Sequence, residues 1–71
     1  MEIKETDPKL LHEIVEIQRT LTKQNRLENL HDAQQIKEQA QSMFELGLLD
    51  LEIKAKIEII YWEIAQSVDE L

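Results

Sequence analysis

The sequence contains no cysteine, and among its 71 residues it has one glycine, one proline and one each of tryptophan, tyrosine and phenylalanine. Without cysteine the chain cannot form a disulfide framework, a thiolate nucleophile or a cysteine-based zinc site. No apolar run approaches the roughly 18 residues of a membrane-spanning helix, and the first residues lack the charged-then-apolar pattern of a signal peptide. We therefore expect one cytoplasmic domain, spanning residues 1–71, that does not contact a membrane.

Positive charge is also scarce, since 8 Lys and Arg residues face 15 Asp and Glu residues, for a formal net charge of -7. Nucleic acid is not an expected partner, because phosphate binding depends on Lys and Arg. There is no glycine-rich phosphate loop and no nucleophile with a base beside it. The sequence therefore predicts a protein that is not an enzyme, has no catalytic residues and binds no cofactor.

The proline and the glycine fall where helix boundaries are expected. Asp7 suits the N-cap and Pro8 the first position of a helix over residues 8–24. Gly47 suits the left-handed position after a second helix over residues 30–46, and Asp50 would cap a third helix over residues 50–68. The apolar residues of the first two helices recur at spacings of three and four: Leu10, Leu11, Ile14, Ile17 and Leu21, then Ala33, Ile36, Ala40, Met43 and Phe44.

The first two helices are predicted to be separate. If the apolar spacing continued beyond Leu21 in the same steps, it would meet only polar residues: Gln24, Glu28, His31 and Gln35. We therefore expect a break between Gln24 and Asp32, and the fold class is predicted to be all-α, a small three-helix bundle. The alternative is a bent helical hairpin that dimerises into a four-helix bundle.

The segment Leu51–Ile64 carries more apolar surface than one side of a helix can hold. Its residues up to Ile59 alternate between apolar and polar, which is the period of a half-buried strand. The alternation then breaks, whereas the helical period continues and places opposite charges four residues apart, as in Glu52 and Lys56. A helix is therefore favoured. On it one stripe contains Ile53, Ile57, Ile60, Ile64 and Val68, and an opposite stripe contains Leu51, Ala55, Ile59 and Trp62.

The second of these stripes is the candidate partner-binding site. Trp62 would serve as its anchor, because tryptophan buries a large rigid surface at low entropic cost, and small domains often depend on partners for stability. We expect a homodimer or a complex with another protein through Leu51, Ala55, Ile59 and Trp62. The alternative is that the third helix is central and both of its stripes belong to the core.

Two fragments resemble metal-binding spacings but lack complete ligand sets. His12 and Glu16 share a helix face without an evident third ligand, and Glu28 with His31 forms a Glu-x-x-His unit that occurs once, where a di-iron bundle needs it twice. We predict no metal site. Arg19, Lys23 and Arg26 are interpreted as cations that complement the negative end of the first helix.

The predicted function is that of a small acidic, non-catalytic protein-interaction or regulatory module that self-associates through its C-terminal helix. The alternative is an acidic nucleic-acid mimic or inhibitor that binds a basic site on a partner protein. Such a mimic would need carboxylates along one exposed face, for which the sequence offers Glu45, Glu52, Glu63 and Glu70. No residue pattern identifies a family.

Overall fold

The computed structural model describes residues 9–70, and within them the chain forms three α-helices: Lys9–Arg19 (α1), Arg26–Glu45 (α2) and Leu51–Glu70 (α3). The predicted all-α, three-helix bundle is confirmed. The strand interpretation of residues 51–59 is wrong, because this segment opens one continuous helix of 20 residues. Asp7 and Pro8, the predicted start of the first helix, lie outside the described residues.

Helix α1 ends at Arg19 and not at residue 24, because nearby side chains form hydrogen bonds with backbone groups at and beyond its end. The Thr20 hydroxyl donates to the Glu16 carbonyl at 2.9 Å. The Asn25 carboxamide accepts from the Thr22 N–H at 2.7 Å and donates to the Thr20 carbonyl at 3.1 Å. Threonine and asparagine side chains compete in this way with helical hydrogen bonds, so the chain turns here. Helix α2 consequently begins at Arg26, before the predicted residue 30.

The connection from α2 to α3 is closed by a Schellman turn. The Leu48 N–H donates to the Met43 carbonyl at 2.8 Å, and the Gly47 N–H donates to the Phe44 carbonyl at 3.0 Å. Gly47 has φ +78°, the left-handed region in which glycine meets no Cβ penalty. Leu49 is buried immediately afterwards. The turn therefore sends α3 back along the bundle after five connecting residues, 46–50.

The core lies along the axis between the three helices. Its fully buried large side chains are Ile14 of α1 and Ile57 and Ile64 of α3. The buried residues of α2 are Ala33, Ile36 and Ala40. The small side chains of the two alanines allow α1 and α3 to lie close to α2. Each buried isoleucine stabilises the fold by about 1.5–3 kcal/mol. Within residues 9–70, no helix is both long and apolar enough to cross a membrane.

Candidate protein-interaction surface

Helix α3 has two apolar sides, and the bundle covers one of them. Ile57 and Ile64 are fully buried, and their neighbours on that side pack against the core. On the other side the exposed fractions of Leu51, Ile59 and Trp62 are 62%, 58% and 59%, and Ala55 is half-buried. We call these four residues the outer stripe. Neither α1 nor α2 covers it, so the alternative that the stripe belongs to the core of the chain is wrong. That it binds a partner remains a prediction.

Trp62 is held on one edge by its neighbour. The rings of Tyr61 and Trp62 meet edge to face, with centroids 5.2 Å apart and planes at 71°. Tyr61 is half-buried, and the Lys37 ammonium lies 5.2 Å from the centre of its ring. Edge-to-face contact is a preferred aromatic geometry. Because Trp62 is restrained in this way, it would lose less side-chain freedom when a partner covers it.

Charged side chains border the outer stripe on both flanks. On one flank the Lys56 ammonium lies 3.8 Å from the Glu52 carboxylate, with both side chains largely exposed. Glu63, on the same flank, accepts a hydrogen bond of 2.8 Å from the Gln18 carboxamide of α1. On the other flank Lys54 contacts Glu58 at 2.7 Å. The apolar stripe therefore has a polar border, as protein-binding surfaces usually do.

The lysines on the two flanks differ in their exposure to solvent and in their contacts with other residues of the chain. The Lys54 side chain is only 15% exposed, and its ammonium lies 5.3 Å from the centre of the Phe44 ring. Lys54 therefore faces inward toward α2. The Lys56 side chain is 57% exposed, and its separation from Glu52 is near the limit of an ion pair. Lys56 is consequently the more available of the two lysines for a partner.

The histidines singled out in the sequence lie on the surface. His12 and His31 are both exposed, and the His31 Nε2 atom lies 3.0 Å from the Gln35 carboxamide nitrogen. Among residues 9–70 there is no group of three or more His, Cys, Asp or Glu residues that could hold a metal ion.

A shallow groove runs between α1 and α2 on a different side of the bundle. Ile17 and Ile36 contribute its apolar residues, and its carboxylates are those of Glu13, Glu16 and Asp32. Glu16 also lies 3.5 Å from the Arg19 guanidinium. The groove is open to solvent, and no polar side chain among residues 9–70 is buried, so its acidic residues have the features of a solvated surface.

The fold and the outer stripe together define a class: a small all-α bundle domain in which α1 and α2 leave one apolar surface of α3 uncovered. The chain belongs to the arginine decarboxylase helical bundle domain family, whose family model matches residues 4–71. No solved structure matches the chain.

Several curated proteins are similar to this chain over most of its length. A biosynthetic arginine decarboxylase of Phocaeicola vulgatus is 39% identical over 70 residues, which is 99% of this chain and 11% of that protein. Proteins of the same name from Bacteroides thetaiotaomicron and a Nostoc species are 39% and 38% identical over 62 and 65 residues. The chain spans about a tenth of the length of these relatives.

Family membership corrects the predicted function. A stand-alone, non-catalytic interaction or regulatory module is wrong, because the matching family is a domain of an enzyme. The prediction of a protein unconnected with enzymatic activity is wrong for the same reason, and the alternative of a nucleic-acid mimic or inhibitor is overturned with it. A helical segment without reactive groups carries no information about the activity of a larger protein that contains such a segment.

Proposed function

We propose that this chain forms the helical bundle of a biosynthetic arginine decarboxylase, an enzyme that removes the carboxyl group of arginine as carbon dioxide. The observation that carries the proposal is the match of residues 4–71 to a domain family named for this enzyme. The relatives support it, because they bear this name and align with 87–99% of the chain. A cytoplasmic location is part of the proposal and rests on the biosynthetic role given in those names.

Within the enzyme, we infer that the bundle contributes to assembly through the outer stripe. Leu51, Ile59 and Trp62 each keep more than half of their surface exposed. Covering apolar surface yields about 25 cal/mol per Å², and an exposed half of a tryptophan is on the order of 100 Å². Trp62 alone would thus contribute about 2–3 kcal/mol on contact. The inferred partner is another copy of the same protein, so that the enzyme is a homodimer or a larger homo-oligomer.

The proposal is tested with a chimera of the Phocaeicola vulgatus relative in which this chain replaces the aligned segment. Carbon dioxide release from arginine and the solution mass by light scattering are measured beside the parent enzyme. We expect comparable activity and the same mass. A chimera with a folded circular dichroism spectrum but no decarboxylase activity would contradict the assignment of this chain to the enzyme.

A pair of variants in the chimera tests the role of the outer stripe. Trp62→Glu places a charge within the stripe and should reduce the assembled mass at low protein concentration. Leu27→Glu is the matched control, because Leu27 is 69% exposed and belongs to α2, whereas the stripe belongs to α3. Equal masses for the two variants would show that assembly does not use this surface.

A further inference from the structure

We draw no further inference here: the strongest candidate, the apolar outer stripe of α3, belongs to the surface already described, and nothing in the structure of residues 9–70 shows what covers it.

Discussion

Replacing Gly47 with alanine isolates the conformational cost of the turn between α2 and α3. Gly47 has φ +78°, a region in which an L-residue is strained by about 1–2 kcal/mol. An added Cβ would meet nothing within 4 Å, so no steric clash contributes. Alanine also restricts the unfolded chain, which offsets about 0.4–1 kcal/mol. The net expectation is a loss of about 1 kcal/mol in the free energy of unfolding.

Urea and thermal unfolding, followed by far-ultraviolet circular dichroism, measure this loss. For a domain of 60–100 residues, about 1 kcal/mol corresponds to a fall of about 4–8 °C in Tm. The measurements should be made at several protein concentrations, because association contributes to apparent stability. Gly47→Asn is the graded comparison and should cost less, since asparagine tolerates the left-handed region.

A chemically synthesised chain with D-alanine at position 47 is the decisive control. A D-residue favours positive φ, and its Cβ also restricts the unfolded chain, so this chain should be more stable than the parent. Gly47→Ala at least as stable as the parent would refute the reasoning, because it would show that the turn does not require positive φ. A destabilised D-alanine chain would refute it equally, because it would show that the cost arises from the added methyl group.

Three further predictions concern the stability of the bundle. Ile57→Ala, at a fully buried position, should lower the free energy of unfolding in urea by about 2–5 kcal/mol. Ile59→Ala, on the exposed side of the same helix, should change the stability of the monomer by less than about 0.5 kcal/mol. Similar losses for the two variants would contradict the assignment of the buried and exposed faces of α3. Asn25→Ala removes two hydrogen bonds across the α1–α2 turn and should cost about 1–2 kcal/mol, with proteolysis near residues 20–25 increasing in parallel; an unchanged cleavage rate would argue against this role. A double-mutant cycle of Lys54→Ala and Glu58→Ala should give a coupling of about 0.3–1 kcal/mol that decreases as salt is added, and a coupling independent of salt would indicate that packing, not charge, joins the two side chains.

The parts of the fold that could be predicted are those with a local physical cause in the sequence. The period of apolar residues fixed the number and type of helices, and Gly47 marked the second turn because few other residues accept its backbone conformation. The end of α1 was missed, since it depends on hydrogen bonds among Thr20, Thr22 and Asn25 that have no simple spacing. The preceding pattern of apolar residues continued through Leu21 and made the helix seem longer.

The sequence predicts the residues of the candidate surface but not the family. That Leu51, Ala55, Ile59 and Trp62 form a stripe opposite the core follows from helical geometry, and the structure shows that α1 and α2 leave it uncovered. The family could not be inferred in the same way. The similarity amounts to 39% identity over 70 residues, and the sequence contains no motif whose chemistry indicates a decarboxylase. An enzyme domain without such a motif has the composition of any small helical bundle.

The short connections of the bundle have a consequence for when its exposed surface forms. Two antiparallel turns, over residues 20–25 and 46–50, join helices that contact their neighbours in sequence, and chains dominated by such local contacts fold in microseconds to milliseconds. Ribosomes add about 5–20 residues per second, so the segment folds far faster than it is made. Its outer stripe is then a finished surface as soon as the segment emerges. The assembly proposed for that surface would then be a docking of folded bundles, with a rate set by protein concentration and not by the folding of the helices.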